Sequence, residues 1–195
     1  MSNATDRFRR TAEGFLARIE AVPPDKWNTR TPCPQWTARE VVLHVINEQR
    51  RNLATVRGVE PRPLHGVGVA EMGQLPEADA DADLAAAWRE IGEGLTAAIA
   101  DPACAEVPIP SPMGPVPFGT MADAMPEDVL IHTWDLARAT GGDEKLDEDV
   151  VHHVYEHFKP MDEVLRQPWA FGPKVTPPAD ADLQTEFLCF VGRNP

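Results

Sequence analysis

Apolar residues recur along this chain at three- and four-residue intervals over five long stretches, the period of helices that bury one face. The first stretch runs from about Thr5 to Val22 on a stripe of Phe8, Ala12, Phe15, Ile19 and Val22, and Pro23-Pro24 ends it. The second opens at Thr37 and Glu40, a T-x-x-E pattern in which hydroxyl and carboxylate each satisfy a backbone N–H of the first turn. Trp36 and Val41 stand at the positions of a hydrophobic staple, and the helix continues through Val42, Val45, Ile46, Leu53 and Val56 to Gly58. The third spans about Ala82 to Ala100 on Leu84, Trp88, Ile91, Leu95 and Ile99. The fourth begins at Pro126, with Glu127 and Asp128 favourable beside the positive end of the helix dipole, and stops at Gly141-Gly142. The fifth covers about Leu146 to Leu165 on Val150, Val151, Val154, Phe158, Met161 and Leu165, and Leu183 to Val191 adds a candidate last helix.

Convincing two-residue periodicity is absent. The one place for a hairpin is Val107 to Phe118 (VPIPSPMGPVPF), whose prolines limit it to edge pairing. The expected class is therefore all-α: a bundle of four core helices with extra short helices and long Pro-rich loops. One domain is expected over 1–195, its core at about 5–166 and a C-terminal loop and short helix at 167–195. Two connections are long, Gly58 to Asp81 and Asp101 to Met125, the second carrying Pro102, Pro108, Pro110, Pro112, Pro115 and Pro117. Loops of this length in a compact domain are usually functional or disordered. Proline restraint and apolar content favour an ordered cover over one end of the bundle, with a pocket beneath it.

At 195 residues with 43% apolar content the chain can bury a sizeable core. Its net charge of −13 argues against nucleic acid and against anionic membrane surfaces as partners. No apolar run approaches the roughly 20 residues that span a bilayer, and the opening MSNATDRFRR lacks a signal-peptide apolar region, so the expected location is the cytoplasm. The three cysteines, Cys33, Cys104 and Cys189, are too few and too scattered for a disulfide framework or zinc finger, and read as reduced thiols. Cys33 precedes a helix N-terminus, whose dipole favours a thiolate. No histidine lies close in sequence to serve as its base, which counts against a catalytic cysteine. Phosphate loops, dinucleotide fingerprints and nucleophile elbows are all missing.

The chemistry concentrates on the fourth helix. Val129, Leu130, Ile131, Trp134, Leu136 and Ala137 spread apolar surface around most of it, and the strongly polar residues Asp128, His132 and Asp135 form one narrow stripe. Such a stripe faces either solvent or a polar interior. Asp128 and His132, four apart, can aim a carboxylate oxygen and an imidazole nitrogen at one point. A third ligand from another helix would complete an open metal site of two histidines and a carboxylate. His44 is the candidate, because it borders the apolar arc of the second helix with Glu48 one turn on. Two other histidines, His153 and His157, are also four apart on the charged fifth helix, and spacing alone leaves both pairs open.

Three segments carry a family resemblance. Thr31 to Val45 (TPCPQWTAREVVLHV) resembles the N-terminal signature of the mycothiol-dependent maleylpyruvate isomerase metal-binding domain, and Asp128 to Gly141 (DVLIHTWDLARATG) resembles its second signature. Phe171 to Pro195 is similar to the tail of that group's short, single-domain relatives. The resemblance implies the DinB/YfiT-like fold, a bundle of four principal helices holding a divalent metal, commonly zinc or nickel. It carries the first ligand onto His44 and the other two onto Asp128 and His132, and it makes His153 and His157 surface residues. The family's usual E-x-x-x-H is D-x-x-x-H here, one methylene shorter, which draws the metal closer to the helix. The full-length isomerase has a further C-terminal domain contributing to its active site. Maleylpyruvate isomerisation is therefore not carried over to a chain that stops soon after the bundle.

The function expected from these readings is a metal-dependent transferase or isomerase that activates a small thiol such as mycothiol for attack on a small electrophile. Asp135 or Glu48 would orient a ligand histidine, and Trp36, Trp134 and the two long loops would line the pocket. The alternatives are a metal-dependent hydrolase, a non-enzymatic bundle that binds a small ligand or a protein, and a homodimer held by helix packing.

Overall fold

The computed structural model describes residues 3–111, 114–167 and 170–195. Among them are seven α-helices, α1 (Ala4–Ala21), α2 (Ala38–Val56), α3 (Leu84–Ala100), α4 (Phe118–Ala124), α5 (Pro126–Thr140), α6 (Glu148–Phe158) and α7 (Leu183–Phe190), and one two-stranded ribbon. The all-α class holds. Pro108–Ile109 pairs antiparallel with Val116–Pro117, so the hairpin forms and stays as short as its prolines require. Pro112 and Met113 of that stretch, and Pro168 and Trp169, lie outside the described residues.

The helix ends follow local chemistry. The Thr37–Glu40 box closes at the start of α2, where the Glu40 carboxylate accepts from the Thr37 N–H at 2.7 Å and the Thr37 hydroxyl accepts from the Glu40 N–H at 3.3 Å. Asp83 caps α3 by accepting from the Ala86 N–H, and Gly141 ends α5 with φ 74°, the left-handed turn that glycine adopts without strain. Two helical expectations need correction. The fifth stretch is not one helix to Leu165: α6 stops at Phe158 and single 3₁₀ turns follow at Lys159–Met161 and Val164–Arg166, because Pro160 has no N–H to continue the ladder. The connection before Pro126 also contains α4, which buries Phe118 and Ala122.

Four helices make the first core. α1 and α2 each pack against both α3 and α5, and so stand diagonally opposed. Phe8, Phe15, Ile19, Val42, Ile46, Trp88, Ile91 and Leu95 fill the space between them, joined by Val129 and Leu136 of α5. Each fully buried phenylalanine here contributes about 1.5–3 kcal/mol. The Trp88 indole meets Phe15 edge-on at 5.1 Å and donates its N–H to the Ala12 carbonyl at 2.9 Å. A second core lies on the other side of α5, where Leu130, Ile131 and Trp134 meet Val150, Val154 and Phe158 of α6 and Phe187, Leu188 and Phe190 of α7. The core thus extends to Val191, well past the expected limit near 166. This double burial explains why α5 is apolar around most of its girth.

The 58–83 connection is ordered, but along the flank of α2 rather than over an end of the bundle. Asn47, fully buried, donates to the Ala70, Glu71 and Gln74 carbonyls and accepts from the Ala70 N–H. The buried Arg50 guanidinium donates to the Val67 and Gly68 carbonyls, and Arg39 donates to that of Asp79. Among the described residues no helix is long and apolar enough to cross a membrane.

Candidate metal centre

The polar stripe of α5 faces a polar interior. His132 is 6% exposed and Asp135 is fully buried, while Asp128, in the first turn, keeps 42% of its side chain open to solvent. α2 brings His44 opposite. His44 Nε2 lies 3.5 Å from Asp128 Oδ2, and His132 Nε2 lies 3.3 Å from Asp128 Oδ1. One donor atom from each of the three residues lies within 4.8 Å of the other two, and this is the one such group of three or more among the described residues. Two donors each about 2.1 Å from a tetrahedral cation sit about 3.4 Å apart, which is the size of each imidazole–carboxylate separation, and the three residues together are compatible with a shared cation. The shorter Asp128 therefore still reaches both imidazoles.

The hydrogen bonds around the ligands suit the same purpose. His132 Nδ1 lies 2.9 Å from Asp135 Oδ2, a partner that can only accept, so the proton sits on Nδ1 and the Nε2 lone pair is left for the centre. Two Nε2 atoms facing one carboxylate need either a proton or a cation between them. Without a cation the protein supplies the proton: burial works to lower the His132 pKa, but Asp128 and Asp135 outweigh it and push it up to about 9. Burial alone would raise the Asp128 carboxyl; the two imidazoles prevail and hold it well below its usual 3.8, while water at its open edge screens part of that field. The Trp36 ring covers His44 at 4.3 Å and approaches His132 at 5.7 Å. His44 Nδ1 is buried with no hydrogen-bond partner among the described residues, so the ring is held by its stacking on Trp36 and its Nε2 contact with Asp128.

Of the other expected site residues, Asp135 touches His132, Trp36 lies against both His44 and His132, and two touch neither. Glu48 accepts from the Gly73 N–H at 2.9 Å, which fastens the tip of the long loop beside α2 instead of orienting a histidine. Trp134 belongs to the second core, not to a pocket shared with Trp36: two residues beyond His132, it projects about 200° around α5. His157 is exposed, with Nδ1 2.5 Å from Glu127 Oε1, and His153 is half-buried; neither joins the ligand group. Burial pushes the Cys33 thiol up, with Arg193 opposing, so the thiol is protonated at neutral pH. Sequence reasoning missed Arg193. Its guanidinium reaches Asp135 from the C-terminal tail, with Nε donating to Oδ1 at 3.2 Å and Nη2 to Oδ2 at 2.8 Å. Nothing in a lone arginine 58 positions downstream signals that contact.

Comparison with known proteins bears on the centre directly. Two uncharacterised proteins of Mycobacterium tuberculosis, one from strain CDC 1551 / Oshkosh and one from strain ATCC 25618 / H37Rv, are each 31% identical to the chain over 144 residues, covering 73% of it and 70% of their own length. No solved structure matches the chain significantly. The family model described as the mycothiol maleylpyruvate isomerase N-terminal domain matches residues 8–137, a span that contains His44, Asp128, His132 and Asp135 and excludes Arg193. A match over two thirds of the sequence, in helices that converge on a cluster able to hold a metal, shows that the chain belongs to the mycothiol maleylpyruvate isomerase N-terminal domain family.

Proposed function

We propose that this protein holds one divalent cation, zinc or nickel, on His44, Asp128 and His132, and uses the site to activate a small thiol of the mycothiol kind for attack on a small electrophile, as a transferase or isomerase. The observation that carries the reading is the convergence of three donor atoms within 4.8 Å of one another, with Asp128 open to solvent on one side. The cation would supply positive charge that favours the thiolate form of an incoming thiol at neutral pH. The chain's own residues would do the rest. Asp135 keeps the proton of His132 on Nδ1, away from the donor nitrogen. Trp36 shields both imidazoles from water and leaves approach along the Asp128 edge. Because the Cys33 thiol is held in its protonated form, the reading assigns the nucleophile to a thiol from solution.

Elemental analysis of untagged protein beside a His132→Ala variant tests the metal. The expected result is about one equivalent of zinc or nickel in the parent and its loss in the variant. A parent that takes up no metal after supplementation refutes the reading. The loaded protein, mixed with panels of thiols and electrophiles and followed by chromatography, tests the chemistry. Turnover no faster than with free metal across the panels would leave a ligand-binding bundle instead of an enzyme.

A further inference from the structure

We propose that Arg193, from outside the family-matched segment, is a positioning residue of the metal centre: by forking onto Asp135 it fixes the carboxylate that holds the His132 ring. The inference rests on His132 being a ligand, as proposed above, but the contact itself is independent of metal.

Asp135 has no exposed surface and sits between two donors. Its Oδ2 accepts from His132 Nδ1 at 2.9 Å and from Arg193 Nη2 at 2.8 Å, while Oδ1 accepts from Arg193 Nε at 3.2 Å. A carboxylate turns freely about its bond to Cβ unless both oxygens are held, and a guanidinium fork holds both in one plane. The arginine is itself built in. The α7 helix ends in a Schellman motif: the Gly192 N–H donates to the Cys189 carbonyl and the Arg193 N–H to that of Leu188 at 2.9 Å. Gly192 has φ 78°, and a Cβ there would stand 3.0 Å from the Pro173 carbonyl oxygen, so this turn suits glycine alone. The turn sends the Arg193 side chain back toward α5. There Nη1 donates to the Val191 carbonyl at 2.9 Å and the guanidinium lies 5.9 Å from the Phe171 ring centre. The arginine is thus carried by the end of α7, and α7 is packed into the second core.

A buried arginine on a buried aspartate also describes a purely structural ion pair, and the test must separate the two roles. Metal affinity is measured by chelator competition for the full-length parent, Arg193→Gln, Arg193→Lys, Asp135→Asn and the Arg193→Gln/Asp135→Asn double variant, each first checked for parental helix content. Arg193→Gln and Asp135→Asn are each expected to weaken metal binding about 10- to 100-fold, the usual effect of losing an outer hydrogen bond to a ligand histidine. Arg193→Lys, which keeps the charge and loses the fork, recovers part of the loss. The double variant binds no more weakly than Asp135→Asn, because Arg193 acts only through that carboxylate. In the metal-free protein the His132 Nδ1–H gives a slowly exchanging NMR resonance that broadens in Arg193→Gln. Parental affinity in Arg193→Gln with an unchanged resonance overturns the proposal, and so do losses that multiply in the double variant. A parent that binds no metal overturns the metal reading of the previous section, and the ring resonance then decides this one alone.

Discussion

Loading the centre with a divalent cation should release at least one proton, and the amount can be worked from the His132 environment. In the metal-free protein the proton on His132 Nε2 lies between that ring and Asp128, 3.3 Å away. Desolvation opposes this charge, but Asp128 and Asp135 together raise the pKa from 6.5 to about 9, so at pH 7 nearly every molecule carries an imidazolium. Nε2 can bind a cation only after that proton has left. Asp128, held well below 3.8, is already ionised and contributes none. The apparent affinity should therefore rise about tenfold per pH unit up to pH 9 and then level off. At pH 7 it should lie about 100-fold below that limit, equivalent to about 2.7 kcal/mol. Calorimetric titration with chelator-buffered zinc or nickel, repeated in buffers of different ionisation enthalpy, reads the released protons directly. A protein that binds the cation with no proton release at pH 7, or with equal affinity at pH 7 and 9, would refute both the assigned tautomer and the role of Nε2.

The same group sets the stability of the metal-free fold in the same window. A pKa raised in the folded state stabilises it fully below 6.5 and loses that contribution as pH climbs through about 9, so denaturation of chelator-treated protein should show about 3 kcal/mol of pH-dependent stability that a His132→Asn variant lacks; identical profiles would sink the argument. Asn47→Ala removes the buried amide that gathers the 70–74 backbone, strands carbonyls and one N–H, and should cost about 1–3 kcal/mol while the Ala70 amide loses its hydrogen-exchange protection. Thr37→Ala opens the box at the start of α2 and should cost about 1 kcal/mol in urea denaturation, and an unchanged midpoint would mean the cap is redundant with packing.

What could be read from the sequence divides by distance along the chain. The capping box, the Gly141 stop and the i, i+4 pairing of Asp128 with His132 each involve neighbours within one or two helical turns, and each forms as expected. The proline-bound hairpin belongs with them. α4 was as legible as these, since Phe118, Met121, Ala122 and Met125 keep helical spacing, but the prolines around it hid the pattern. Which way the α5 stripe faces was not a local question. Leu130, Ile131 and Trp134 could equally have lined a pocket, and only residues from 146 to 191 show that they carry a second core.

That second core also shapes the surroundings of the polar stripe. A helix buried on one side would present Asp128, His132 and Asp135 to water, where a carboxylate and an imidazole interact weakly and a histidine ring is free to turn. With both flanks of α5 covered, the stripe becomes a narrow polar seam whose residues must satisfy one another. Asp135, at its deepest point, needs a donor on each side. α5 supplies one in His132, and the other has to come from whatever element closes the seam. Here that element is α7 and its tail, which bring the Arg193 cation to the buried carboxylate. The cluster of His44, Asp128 and His132 is thus encoded within the two signature segments. The contact that closes the seam, Arg193 onto Asp135, comes from the end of a helix that neither signature contains.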